Sequence, residues 1–133
     1  MYIAVNASNR FAVAMMHLKP SDWKSLDILM EEAITKGMLS EGFSIEEIHQ
    51  YLDMAGEVEI TKTHGRKPVS GLNRAVEYLY HYTREEVSDD CYQEGLCAEV
   101  NRELCSAAGF KGYGIPYERM WEDMKRVGIV RRE

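Results

Sequence analysis

Residues 42–82, GFSIEEIHQYLDMAGEVEITKTHGRKPVSGLNRAVEYLYHY, pass through helix, strand, turn and helix signals without a gap, and the rest of the chain is read outward from them. Ser44 stands three residues before Glu47, the spacing at which a hydroxyl and a carboxylate each satisfy a free backbone N–H at a helix start. Ile45, Ile48, Leu52 and Ala55 then recur at steps of three and four, which makes one face apolar and turns Glu46, Glu47, Gln50 and Asp53 to water. Gly56 suits the left-handed conformation that ends a helix. From 57 to 63 the pattern alternates, with Val58 and Ile60 pointing one way and Glu57, Glu59 and Thr61 the other, which predicts a half-buried strand. His64 and Gly65 break it. Pro68 withholds a backbone donor, and Ser70 is an N-cap for a second helix whose stripe is Leu72, Ala75, Val76 and Leu79.

Toward the N-terminus, residues 2–6 and 11–17 are short apolar runs joined by Ala7-Ser8-Asn9-Arg10, a polar turn of hairpin length. The strand at 57–63 is expected to add a third member to this hairpin. Lys19-Pro20-Ser21-Asp22 stops the second run and caps a helix, with Trp23, Leu26, Met30, Ala33, Ile34 and Met38 on its buried side and Gly37 or Gly42 at its end. Toward the C-terminus, Ser88-Asp89-Asp90 opens another helix, with acids where the helix dipole favours them. Its stripe is Leu96, Val100, Leu104 and Ala107 or Ala108, and Gly109 ends it. Pro116 starts a last helix in which Tyr117, Met120, Trp121 and Met124 face inward, stopped by Gly128. Residues 129–133 read equally as a short strand or a tail. The sum is an α+β fold: a small antiparallel sheet packed against about five helices, one domain over 1–133, with 1–82 as hub and 83–133 as a helical extension.

Asn6 with Arg10, the run 19–27 (KPSDWKSLD), and 56–63 (GEVEITKT) with Arg66, Val69, Leu72, Asn73 and Ala75 follow one pattern. A turn of the Asn-Asp-x-x-Arg kind leads into an apolar strand, then a K-x-x-D-F-K-x-L-D helix, then G-E-I-T-F-T-K-T-x-x-R-S-V-x-x-x-L-N-x-A. On these residues the first 82 positions resemble an uncharacterised bacterial family, a domain of unknown function. The resemblance includes no metal or nucleophile motif and implies no activity. It does not extend over 83–133, and Met1 stands where the family's N-terminal lead-in would come before it.

With 133 residues, 45% of them hydrophobic, the chain has enough apolar surface for one core. No apolar run approaches the ~20 residues that span a bilayer, and the start lacks the basic-then-apolar pattern of a signal peptide. Three cysteines argue for reduced thiols, so a soluble cytoplasmic protein without membrane contact is expected. The net charge is −6, and its layout matters more than its sum: residues 22–59 carry −8, 60–84 carry +4 and 85–103 carry −6. Two acidic stretches around a basic island disfavour direct duplex nucleic-acid binding and suit a protein partner with a basic surface.

Three places invite chemistry. His81, Cys91, Cys97 and Cys105 are zinc-type ligands, but their spacings are wider than those of structural zinc sites. Buried thiols are the competing account. His64, Arg66, Lys67, Ser70 and Gly71 would set cationic side chains beside free N–H groups at a helix start, a candidate anion-binding turn without phosphate-loop glycine spacing. The four histidines lie in different elements with no nucleophile or base beside them, so no catalytic residue, metal or cofactor is assigned. Tyr78, Tyr80 and Tyr92, among Glu85, Glu86, Asp89 and Asp90, form a candidate partner-binding set, since tyrosines bury area at interfaces with little entropy loss.

These observations favour a small acidic, non-enzymatic binding protein that docks on another protein. An inhibitor of a nucleic-acid-handling complex from a phage or mobile element, of the anti-CRISPR kind, is one such function. The alternatives are a small-anion or nucleotide sensor or enzyme using residues 64–71, and a structural zinc protein. Oligomeric state stays open.

Overall fold

The computed structural model describes residues 1–59, 62, 65–82 and 87–131. Strands β1 (Tyr2–Val5) and β2 (Ala12–Met15) form the antiparallel hairpin, with Tyr2 opposite Met15 and Val5 opposite Ala12. A 3₁₀ turn (Pro20–Ser25) leads into α1 (Leu26–Ser40), followed by α2 (Ile45–Ala55), α3 (Arg66–Tyr82), α4 (Glu94–Val100) and α5 (Pro116–Arg126). The class is α+β as expected.

Strand β2 is the centre of the core. All four of its residues are buried, and α1, α4 and α5 contribute Ala33, Met38, Leu96, Val100, Met120 and Met124 to the cluster around it. Helix α1 comes so close to β2 that a Cβ at Gly37 would lie 2.7 Å from Val13 Cγ1, which explains a glycine inside that helix rather than at its end. The end comes at Gly42, with φ +96: the N–H of Gly42 bonds Leu39 O and that of Phe43 bonds Met38 O, each at 3.1 Å. Phe43 and Met38, both buried, complete this left-handed stop. Trp23, expected on the buried side, is 53% exposed and meets Tyr2 edge-on instead, because the 3₁₀ turn lifts it off the face that α1 presents.

Helix α2 forms as its sequence predicts. Ser44 and Glu47 exchange both capping hydrogen bonds, at 3.1 and 2.8 Å. The third strand expected at 57–63 is not found among the described residues. Among the described residues the sheet has two strands; Glu57, Val58 and Glu59 are exposed and outside any strand, and Ile60, Thr61 and Thr63 lie outside the described residues. Alternation reports which faces a segment offers, not whether an edge is free to receive it, and the free edge of β2 is already taken. Tyr92 bridges Met15, Met16 N–H bonds Cys91 O at 2.8 Å, and Gln93 N–H bonds Ala14 O at 3.0 Å. Helix α4 then runs its side chains along the same edge. Cys97 Sγ accepts from Ala14 N–H at 3.1 Å, while the Asn101 amide accepts from Ala12 N–H at 2.7 Å and donates to Ala12 O at 2.8 Å.

This arrangement also ends α4 early. The helix expected from Ser88-Asp89-Asp90 through Leu104 to Ala107 or Ala108 runs only from Glu94 to Val100, with Gln93 and Asn101 as its caps, and Leu104 is 65% exposed. Asn101 is 1% exposed, and burying its amide requires both of its bonds to Ala12. The chain past it crosses back so that Cys105 pairs with Gly114. At the other end of α5, Gly128 at φ +80 and the N–H groups of Ile129 and Val130, both bonded to Met124 O, fold residues 129 and 130 into the core. For Ile129 and Val130 the choice between strand and tail therefore resolves as a buried helix stop; Arg131 is exposed, and 132 and 133 lie outside the described residues.

Candidate functional site

The β1–β2 turn is built from side-chain amides. Asn6 Oδ1 accepts from the N–H groups of Ser8 and Asn9 at 2.9 and 3.1 Å, a side-chain mimic of a backbone turn. Those two donors fix which end of the amide is oxygen, so its NH₂ faces away and donates to the Tyr51 hydroxyl at 3.0 Å. Asn9 is fully buried. Its Oδ1 accepts from Phe11 N–H at 2.8 Å, and its NH₂ donates to Asp123 Oδ2 at 2.9 Å beside Met120 Sδ. Arg10 takes φ +65, an uncommon conformation for a residue with a Cβ, and bonds on either side hold it: Arg10 N–H to Asn6 O and Asn6 N–H to Phe11 O, at 3.0 and 2.8 Å. The Arg10 side chain is buried against Gly71, where a Cβ would stand 3.2 Å from Arg10 Cδ, and pairs with Glu103 at 3.5 Å. Burial raises the Glu103 carboxyl and the Cys105 thiol above their ordinary values, and the Arg10 charge pulls both partly back.

Around this turn the fold leaves a cavity of about 250 Å³. Its polar lining is Asn6, Ser8, Asn9, Tyr51 and Asp123, and its apolar lining is Met54, Ala55, Met124 and Val127. A smaller void of about 100 Å³ shares Asn6 and Tyr51 with it and is otherwise apolar. The Tyr51 phenol is pushed up by burial and by the charge of Asp123, against the lowering effect of the Asn6 bond, so it keeps its proton at neutral pH.

Helix α2 carries a second concavity on its opposite side. Tyr51, Met54 and Ala55 face the cavity; Leu52, Asp53 and Gly56, about 100° per residue further round, face α1. Between α1 and α2 lies an open cleft of about 630 Å³, rimmed by Glu31, Glu32, Asp53 and Glu57 against Lys36 and His49, with Ile28 and Leu52 in its walls. Ile28 is 56% exposed.

The residues singled out from sequence stand in different settings. Helix α3 begins at Arg66, so Ser70 lies in its second turn rather than at its cap, and Gly71 is buried under Arg10. Pro68 explains the earlier start, since a residue lacking an N–H fits the first turn of a helix. Arg66 and Lys67 are exposed, and His64 lies outside the described residues. Tyr80 is 53% exposed, whereas Tyr78 packs on the core. Asp89 and Asp90 are exposed on a loop held by the Gln93 amide, which donates to Ser88 O and Asp90 O at 3.0 and 2.6 Å. Tyr92 is half-buried on the β2 edge beneath Lys36, its phenol raised by burial. Glu85 and Glu86 lie outside the described residues. Cys97 serves as an acceptor for β2, and among the described residues no three His, Cys, Asp or Glu side chains come together as a metal site. Asn9, Tyr51 and Asp123 went unnoticed in the sequence. The available signal was Asp123 between Met120 and Met124, a carboxylate at the edge of an apolar face.

Among the described residues no helix is long and apolar enough to cross a membrane. No curated protein and no solved structure matches the chain. A family model does match, over residues 1–119, and so runs past the first 82 residues through the edge-covering helix α4 and into α5. The chain belongs to that family, the domain of unknown function DUF6933.

Proposed function

We propose that this chain is a binding protein that docks a basic protein surface in the cleft between α1 and α2. One observation carries the reading: among the described residues the cleft sets four carboxylates against one lysine around an exposed apolar side chain, Ile28. Such a rim steers a positively charged partner and the apolar wall holds it once docked. Lysines and arginines lining a nucleic-acid channel are a surface of this kind, and an inhibitor of the anti-CRISPR type would occupy one. The three free cysteines fit a reducing compartment such as the cytoplasm.

The test compares capture from a bacterial lysate by the wild-type chain, by Glu31→Lys/Glu32→Lys/Asp53→Lys, and by Asp89→Lys/Asp90→Lys, each at low and high salt. A basic partner held by wild type, released by salt and lost only in the first variant supports the reading. Capture unaffected by the first variant overturns it. Loss only in the second moves the interface to the exposed Asp89–Asp90 loop.

A further inference from the structure

We propose that the cavity under the β1–β2 turn binds a small uncharged ring carrying a carbonyl next to an N–H, such as a cyclic amide or a pyrimidinedione. The site is separate from the acidic cleft and does not depend on the docking reading. Its hydrogen-bond inventory leads to the ligand. The Tyr51 oxygen already accepts from Asn6 Nδ2 at 3.0 Å, so the phenol proton is the group left to donate. No acceptor for it is found among the described residues. Asp123 uses Oδ2 for Asn9 at 2.9 Å and Oδ1 for Arg126 at 3.2 Å, and each oxygen has a further lone pair. One free donor and one acceptor in the same lining are the complement of a carbonyl beside an N–H.

Charge and size narrow the class. Arg126 already balances the Asp123 carboxylate, so a cation is not required and a neutral N–H suffices. At about 250 Å³ the space lies below the ~300–1,000 Å³ typical of drug-sized sites and suits one ring. Met54 and Met124 form adaptable apolar walls for its faces. Asn6 and Asn9 are locked by backbone donors from their own turn, so the polar lining is set before any ligand arrives.

Amide-resolved NMR of the full chain tests this with uracil, hydantoin and 2-pyrrolidinone as probes and 1,3-dimethyluracil, which keeps the ring and its carbonyls but has methyl groups in place of both N–H groups, as control. At least one probe is expected to shift resonances of residues 6–9, 51 and 123 saturably, with the control at least tenfold weaker. Tyr51→Phe, which keeps the ring, is expected to weaken that probe roughly 3- to 10-fold, the worth of one hydrogen bond. Absence of saturable shifts with all three probes overturns the proposal, as does equal binding of the control. Because the control is read on the wild-type chain, the outcome stands even if the variant does not fold.

Discussion

The two edges of β2 are satisfied in different ways. On one side β1 supplies a backbone ladder, residue against residue from Tyr2–Met15 to Val5–Ala12. On the other, a short backbone bridge at Tyr92 gives way to side chains spaced four apart on α4, Cys97 on Ala14 and Asn101 on Ala12. A backbone ladder tolerates almost any residue, since every residue carries the same N–H and C=O. A side-chain ladder depends on residue identity. Sequence determinism at the centre of this fold is therefore concentrated on one edge, and breaking the two edges should have unequal effects.

The largest effect is expected at Asn101. Asn101→Leu keeps the branched shape, with bulkier methyl groups, and removes both bonds, leaving Ala12 N–H and O buried without partners. Each such orphan costs ~1–3 kcal/mol, so a loss of about 3 kcal/mol is expected, on the order of 10 °C in Tm. Chemical denaturation monitored by circular dichroism measures it. A loss under about 1 kcal/mol would mean that water or a shifted backbone replaces the amide, and that the side-chain edge is ornamental.

The same contrast explains what could be read in advance. Helix α2 was legible in its cap and stop, which are local: Ser44 with Glu47, then Gly56; of its expected stripe Ile48 and Leu52 turn to the core, while Ile45 and Ala55 are exposed. The hairpin was legible for the same reason. The strand expected at 57–63 is not seen at its described residues Glu57, Val58 and Glu59, and the β2 edge is taken by Tyr92 and by side chains from α4; the fourth helix is shorter than its apolar pattern suggests because the Asn101 amide is a strand partner. The cavity was only half legible. Asn6 stood out in the turn, but its partner Tyr51 is 45 residues away, and Asp123 lies 114 residues from Asn9. Neither separation has a local signature.

Cys97 is the weaker rung, and its test is one of pH. Burial raises its thiol above the ordinary ~8.5, with the Ala14 backbone bond pulling it partly back. The folded chain thus keeps a proton that the unfolded chain releases, so this group's contribution is intact below about pH 8.5 and is lost as pH rises toward the folded value. Cys97→Ala is expected to cost about 1 kcal/mol at pH 7, through the lost acceptor for Ala14 N–H and the lost sulfur packing, and to make the alkaline decline shallower. Cys105, Tyr51 and Tyr92, also raised by burial, keep their own shares of that decline. Urea midpoints from pH 7 to pH 10 measure both effects. An alkaline limb as steep as that of wild type would show that the Cys97 thiol is not held neutral by the strand edge.

The smallest effect is expected at Gly95, and it has the opposite sign. The side-chain edge works only if α4 holds Cys97 and Asn101 in register, yet this helix has seven residues and a glycine in its first turn. A Cβ at Gly95 would meet nothing within 4 Å, and the residue is exposed, so alanine costs no packing there. Alanine also removes the conformational freedom that glycine gives the unfolded chain. Gly95→Ala should stabilise by roughly 0.5–1 kcal/mol, a rise of a few degrees in Tm by differential scanning fluorimetry. In the Asn101→Leu background the gain should shrink, because a firmer α4 no longer delivers the amide to Ala12, and that coupling is the sharper measurement. Equal gains in both backgrounds would show that α4 is stabilised for its own sake and that the strand edge draws nothing from its rigidity.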